Sequence, residues 1–341
     1  MADPTLAEWL AFAAVILAAF LLSLALNALL RPWFVRYALA RPNARSSHTE
    51  PTPQGGGIAV IGATALVLAG AAFVAPAPMD PFAIAVTFAC VIGLALLGAT
   101  DDLRPIEALP RLLFQAIAVL VVIAVLPASL RVFPVLPWWI ERALVFTTML
   151  WFVNAVNFMD GIDWMTVAEV VPVTAALAVF GAIGALPPAA TLVALALCGA
   201  MVGFAPFNRP VARLFLGDVG SLPIGLLLGW LLLMLAVNGH VAAAFLLPLY
   251  YIADATITLL LRLARGERVT QAHRSHFYQH ALDGGMSVQR IVSSVFGLNV
   301  VLTGLAAATM FWPSRLLHVA AFAAGCTLVG LLLYRFARAK A

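Results

Sequence analysis

Charge is scarce in this sequence. Asp, Glu, Lys and Arg together make up 10% of its 341 residues, where an ordinary soluble domain carries roughly a quarter. With 64% hydrophobic residues and a mean hydropathy of +1.04, the scarcity excludes a soluble globular domain. Cysteine is nearly absent too: Cys90, Cys198 and Cys326 are the three in the chain. Each falls in an apolar run and none has metal-like spacing, which argues against a disulfide framework or a zinc site. The chain lacks low-complexity linkers and detectable repeats, so a single membrane domain over 1–341 is expected. Residues 1–7 lack the basic stretch of a signal peptide and the apolar run behind them is too long for one, so the first span reads as a retained helix.

What is present is a series of apolar runs. Taking ~20 residues per crossing, we expect an all-α polytopic membrane protein with about eleven transmembrane helices, ten being the alternative count. They lie near 6–30, 57–75, 81–100, 110–128, 138–157, 165–184, 188–206, 217–237, 241–262, 290–310 and 314–335. Backbone groups in hydrocarbon must be satisfied within the element, and no run alternates with the period of a membrane β-barrel.

The basic residues set an orientation. Sixteen of nineteen, among them Arg31, Arg41, Arg45, Arg104, Arg111, Arg209, Arg213, Arg274 and Lys340, fall in alternate loops and the C-terminal tail, whereas the other loops hold Arg131, Arg142 and Arg315. The positive-inside rule places the first set in the cytoplasm, with the N-terminus periplasmic and the C-terminus cytoplasmic. The net charge of +4 then reflects topology and contact with the lipid bilayer, not nucleic acid.

Polar residues interrupt the apolar pattern at four places, all on the expected cytoplasmic side. The segment Asn154-Ala-Val-Asn157-Phe-Met-Asp160-Gly-Ile-Asp163 ends a span with two amides and two acids. Its three-residue steps keep neighbours close on a helical surface. Amides suit a nucleobase, ribose or N-acetyl group, and carboxylates suit ribose hydroxyls or metal-bound water; an interhelical hydrogen-bond seam is the other reading. Asp101 and Asp102 diverge by about 100° on a helix. They read either as a solvated helix terminus or, with Asp160, Asp163 and Asp218, as part of a site for a hard divalent ion. Phe215-Leu-Gly217-Asp218-Val-Gly220-Ser221 opens the eighth span. His273, Arg274, His276, Tyr278 and His280 crowd one loop, where they could hold a diphosphate or anionic lipid heads. Thr52-Pro-Gln-Gly55-Gly56-Gly57 reads as a phosphate-approaching loop or, better, as a plain helix start. Asp254, within the ninth span, is the one deep acid, and its partner is not legible.

In their order these segments resemble the polyprenyl-phosphate N-acetylhexosamine-1-phosphate transferase superfamily. The resemblance runs from Arg41-Pro-Asn-Ala-Arg-Ser-Ser-His48 through Pro51 to Gly57, Asp101-Asp102, Asn154 to Asp163, Asn208 with Phe215 to Ser221, and His273-Arg-Ser-His276. It implies transfer of a sugar 1-phosphate from a UDP-N-acetylhexosamine to undecaprenyl phosphate at the bacterial inner membrane, with release of UMP. It implies Mg²⁺, with Mn²⁺ as a substitute, held by Asp218 and Asp102, and a catalytic set of Asp101, Asp102 and Asp218. It further implies that Asn154, Asn157, Asp160, Asp163, Asn208, Phe215, His273, Arg274 and His276 bind substrate, Phe215 against the uracil. A homodimer is compatible with it. Two departures stand out: Trp164 occupies a position more often glycine, and the histidine loop lacks the triple histidine of the peptidoglycan translocase. It looks more like the loop of O-antigen initiating enzymes, which leaves the muramoyl-pentapeptide donor as the alternative within the family. A secondary transporter is the alternative outside it.

Overall fold

A chain that keeps its backbone in lipid satisfies its hydrogen bonds helix by helix. The computed structural model describes residues 5–40, 51–74, 81–268, 273–312 and 314–339. The helices are α1 (Leu6–Tyr37), α2 (Gly56–Val74), α3 (Pro81–Leu103), α4 (Ala108–Ala124), α5 (Trp138–Met159), α6 (Met165–Ala182), α7 (Pro188–Phe204) and α8 (Asp218–Val237). They continue with α9 (Val241–Leu246), α10 (Leu249–Ala264), α11 (Phe277–Asp283), α12 (Val288–Phe311) and α13 (Arg315–Ala337). Among the described residues seven helices are long and apolar enough to cross a membrane, and α2, α4 and α7 are further apolar helices. The protein is an all-α, multi-pass membrane protein. A short two-stranded pairing, β1 (Leu39–Ala40) with β2 (Thr52–Pro53), is antiparallel. The Arg41 to His48 part of the motif series lies outside the described residues.

Ten of the expected spans each correspond to one helix, and the ninth does not. It is broken into α9 and α10 at Leu247-Pro248. Pro248 has no N–H to continue the ladder, and its ring clashes with the preceding turn. The short α11 sits within what reads as a polar loop.

At the centre stands α8, in which every residue from Val219 to Ala236 is buried. Helices α3 and α5 pack against it, and α1 packs along α7. Small residues permit that second contact, as in other membrane helix pairs. A Cβ on Gly199 would lie 2.3 Å from the carbonyl oxygen of Ile16, and one on Gly203 would lie 2.4 Å from that of Phe20. At the end of α5 remote from the acids, the buried Glu141 pairs with Arg131 and accepts from the Phe133 N–H at 3.2 Å. The structure therefore gives that acid a local partner.

Candidate active site

The buried N-terminus of α8 must find partners for its free N–H groups. Asp102, at the end of α3, supplies them: its Oδ1 accepts from the Asp218 N–H at 3.0 Å and its Oδ2 from the Val219 N–H at 3.1 Å. A carboxylate there also meets the positive end of the helix dipole. Gly217 makes the approach feasible. Its φ of +78° favours glycine, and a Cβ on it would lie 2.5 Å from Asp102 Oδ2.

The Asp218 side chain is held on both sides. Asn157 Nδ2 donates to Asp218 Oδ1 at 2.7 Å and to Ser221 Oγ at 2.9 Å. On the other side, Arg111 Nη1 stands 3.5 Å from Asp218 Oδ2 and donates to Asp101 Oδ2 at 2.7 Å. The remaining oxygen of Asp101 accepts from the Ile106 N–H at 2.6 Å. Arg111 thus links two of the acids, a role that counting it only as a loop arginine misses. The available signal was its place in the first turn of α4, ten residues after Asp101.

The opposite wall is built by the chain between α5 and α6 and the chain after α7. Thr166 Oγ1 donates to Asp160 Oδ1, and Asp163 Oδ2 accepts from the Ala212 N–H at 2.9 Å. Trp164 has a φ of +62°, which accounts for glycine at such a position. Its backbone N–H donates to Asn208 Oδ1 at 2.8 Å and its indole to the Ala205 carbonyl at 2.7 Å, interactions that hold the side chain in a backbone shape costing about 1 kcal/mol or more. Burial lifts the Asp160 carboxyl to about 7, with the charges of Asp102 and Asp163 adding and the Thr166 hydroxyl opposing.

Gly55, Gly56 and Gly57 do not offer their amides to a ligand. Gly55 and Gly56 donate to the Phe215 carbonyl at 3.2 and 2.9 Å, and Gly57 donates to that of Leu216 at 2.9 Å. Gln54 Nε2 donates to the Asp102 carbonyl at 2.7 Å. The segment is a helix start docked on the chain that leads into α8.

These elements enclose a cavity of about 900 Å³ at one end of the bundle, near the top of the range usual for small-molecule sites. Asp102, Asp160, Asp163, Asn208, Phe215 and Asp218 line it, together with Arg31, Gln54 and Gln279, which the sequence did not mark as substrate-binding residues. Other expected residues stand behind this wall. Asn154 Nδ2 donates to Gln115 Oε1 at 2.7 Å and to the Leu150 carbonyl at 2.8 Å, forming a seam between α5 and α4. Arg274 pairs with Asp283 at 2.8 Å. His276 is buried and its Nδ1 lies 3.2 Å from Asp254 Oδ1. His273 lies against it, ring centroids 4.9 Å apart. Burial, then the charges of His276 and Arg262, push the His273 imidazole down to about 4 despite Glu267, so it is neutral at pH 7.

A sequence profile described as glycosyl transferase family 4 matches residues 84–236, the stretch that carries Asp101, Asp102, the Asn154 to Asp163 run and Asp218. That stretch is similar to a glycosyl transferase family 4 domain. It is 27% identical over 320 residues to a decaprenyl-phosphate N-acetylglucosaminephosphotransferase of Mycolicibacterium smegmatis, covering 82% of this chain and 77% of that one. It is 25% identical over 307 residues to a probable undecaprenyl-phosphate N-acetylglucosaminyl 1-phosphate transferase of Bacillus subtilis, covering 84% and 83%. A phospho-N-acetylmuramoyl-pentapeptide-transferase of a Synechococcus strain is 34% identical over 165 residues, 47% of each chain. These relatives fit the polyprenyl-phosphate hexosamine-1-phosphate transferase superfamily that the motifs resemble. The matched stretch includes the end of α3, the first turns of α4 and α8 and the end of α5, the four pieces that bring Asp101, Arg111, Asp218 and Asn157 together.

Proposed function

We propose that the protein transfers a sugar 1-phosphate from a UDP-N-acetylhexosamine to undecaprenyl phosphate, giving the undecaprenyl-diphosphate sugar and UMP. The observation that carries this reading is the meeting of Asp218, Asp101 and Arg111 beside a cavity of about 900 Å³ where apolar helices end. A lipid-borne phosphate would reach such a place with its chain still in the bilayer. The arginine distribution supports a cytoplasmic position for this end of the bundle, where nucleotide sugars are met. Release of UMP from UDP-N-acetylglucosamine, dependent on added undecaprenyl phosphate, is the test; no release with any UDP-sugar would overturn the reading.

Mg²⁺ fits the donor set. The ion ordinarily takes one or two carboxylates and fills its other positions with water and substrate phosphate. Asp218 Oδ2, which stands 3.5 Å from Arg111 Nη1, would hold it. Asp102 would support it from behind, each of its oxygens keeping a lone pair beyond the backbone N–H it accepts. Bound there, the ion would neutralise charge on the donor diphosphate, which is most of what phosphoryl transfer asks of a protein. Arg111 adds a fixed cation, Asn157 orients Asp218, and the Phe215 to Gly217 chain shapes the nucleotide side. Asp254, the acid on which a transporter reading depends, faces a loop of its own chain and does not line the cavity.

Asp101 positions in this reading and does not act as a base. Both its oxygens are engaged, by Ile106 and Arg111, and an acceptor phosphate monoester, with a second pKa near ~6, is already largely dianionic at neutral pH. Asp101→Asn is therefore expected to lose most activity, with the loss persisting from pH 6 to 9. Single-turnover rates across that range check it, and recovery to near wild-type above pH 8 would restore the base.

The donor is a simple N-acetylhexosamine, N-acetylglucosamine or a deoxy relative such as N-acetylfucosamine, and the product starts a cell-envelope glycan of the O-antigen kind. Relatives acting on N-acetylglucosamine align over more than four-fifths of this chain, whereas the muramoyl-pentapeptide relative aligns over less than half. In a donor panel with purified protein, the simple sugars are expected to turn over fastest. A higher rate with the muramoyl-pentapeptide donor would reassign the substrate.

A further inference from the structure

Acids dominate the cavity, yet two cations share its lining. Arg31 of α1 and Arg213 of the chain between α7 and α8 stand in the same wall list as Asp102, Asp160, Asp163 and Asp218. Among the described residues Arg111, Arg131, Arg262 and Arg274 each pair with a carboxylate, whereas Arg31 and Arg213 form no such pair. What they bond is backbone. Arg31 Nε donates to the Arg213 carbonyl at 3.4 Å, and Arg213 Nη2 donates to the Pro206 carbonyl at 3.5 Å. Both contacts are long, and the first leaves the two terminal nitrogens of Arg31 without a hydrogen bond among the described residues. A guanidinium is charged at every physiological pH and presents its donors as a planar fork that matches a phosphate.

An arginine near the end of a span ordinarily lays its stem along the helix and turns its head to the lipid surface. The helix geometry gives Arg31 a different place. Leu29 and Trp33, four residues apart and so on one face of α1, are 71% and 66% exposed. Arg31 projects about 200° from Leu29, away from that face, and lines the cavity. Because α1 is long and apolar enough to cross a membrane, one of its faces meets acyl chains while Arg31 meets the cavity. A phosphate monoester carries a charge of about −1.5 to −2 at pH 7. Four carboxylates in the lining repel it unless fixed cations stand against them. In the function proposed above, Asp218, the metal and Arg111 attend to the donor diphosphate, and none of them comes from α1 or from the chain after α7.

We propose that Arg31 and Arg213 form an anion subsite of the cavity that takes the phosphate of the lipid acceptor, where α1 separates bilayer from cavity. The inference rests on the acceptor half of the proposed function. The two arginines bind and place the phosphate; the reaction itself occurs beside Asp218.

Two measurements test it. In the UMP-release assay Arg31→Gln and Arg213→Gln should each raise the KM for undecaprenyl phosphate by ~10-fold or more, the scale of one lost charge-assisted hydrogen bond, while the KM for the UDP-sugar stays within twofold. Arg31→Lys, which keeps the charge, should recover part of the loss. Arg36→Gln is the control: Arg36 is exposed, stands 5.3 Å from the Tyr37 ring centroid and does not line the cavity, so both KM values should be those of wild type. An unchanged acceptor KM in both cavity variants, a rise confined to the UDP-sugar, or an equal rise in Arg36→Gln would overturn the proposal. The second measurement needs no donor. Native mass spectrometry of the detergent-solubilised wild type should show undecaprenyl phosphate bound in preference to undecaprenol, and Arg31→Gln/Arg213→Gln should lose that preference. Equal displacement of the bound lipid by phosphatidylglycerol would mean a general contact with anionic headgroups and would also overturn it. A wild type that binds undecaprenyl phosphate through these arginines yet releases no UMP from any UDP-sugar would fail the donor reading alone. UMP release with an acceptor KM indifferent to both arginines would fail this assignment alone.

Discussion

Asp218→Asn is expected to lower Mg²⁺-dependent UMP release by on the order of 10³-fold, the scale on which removal of one electrostatic stabiliser of a transition state acts, without unfolding the protein. The substitution keeps the shape of the side chain. An amide can still accept from Asn157 Nδ2 through its oxygen, so the contacts at 2.7 and 2.9 Å that tie α5 to α8 survive. What is lost is the charge that faces Arg111 at 3.5 Å and that would hold the metal. The backbone N–H of residue 218 is untouched and continues to donate to Asp102. Turnover within tenfold of wild type at ordinary Mg²⁺ would remove Asp218 from the metal site. A matching loss in thermal midpoint would instead assign it to structure.

Gly57→Ala should act through the opposite route, losing stability first and activity as a consequence. Helices α2 and α8 cross with backbone against backbone: a Cβ on Gly57 would lie 2.2 Å from Gly220 Cα and 2.3 Å from its nitrogen. No flexible side chain is there to yield, so the first turn of α8 must move, and with it Asp218. Overpacking costs about 1–3 kcal/mol where side chains can adjust, and this contact should reach the top of that range. The expected result is a fall in thermal midpoint of roughly 5 °C or more. Gly70→Ala, farther along the same helix with nothing within 4 Å, is the control and should leave the midpoint unchanged or slightly raised, since alanine favours a helix interior by roughly 0.5–1 kcal/mol. Equal midpoints for the two variants would show that the crossing is not tight.

Much of the site was legible before any fold was known. Asp102, Asp160, Asp163, Asn208, Phe215 and Asp218 all line one cavity, because acids and amides at the ends of apolar runs have few reasons to be there other than a polar ligand. Asn154 and Asn157 show the limit of such reading. They sit three residues apart on α5 and look equivalent in sequence, yet Asn157 holds Asp218 while Asn154 holds Gln115. Which helix lies opposite each amide decides the matter, and spacing along one helix does not encode its neighbours. Arg111 escaped notice for the same reason, its two carboxylate partners lying on α3 and α8.

The sequence by itself determined the membrane class, the places of the apolar helices and the convergence of polar motifs. Each follows from a one-dimensional property, hydropathy over a span, the sign of loop charge, or the cost of a polar group in lipid. Tertiary structure decided which helix stands at the centre. The apolar runs of α1, α8 and α13 look alike in the sequence, yet α8 is buried from Val219 to Ala236 while α1 and α13 leave most of their surface open. In lipid an apolar side chain is as well placed against acyl chains as against protein, so hydrophobicity carries no information about depth in the bundle. Close backbone approach at Gly57, Gly199 and Gly203, and hydrogen bonds across helices such as Asp102 to α8 and Asp254 to His276, made that choice.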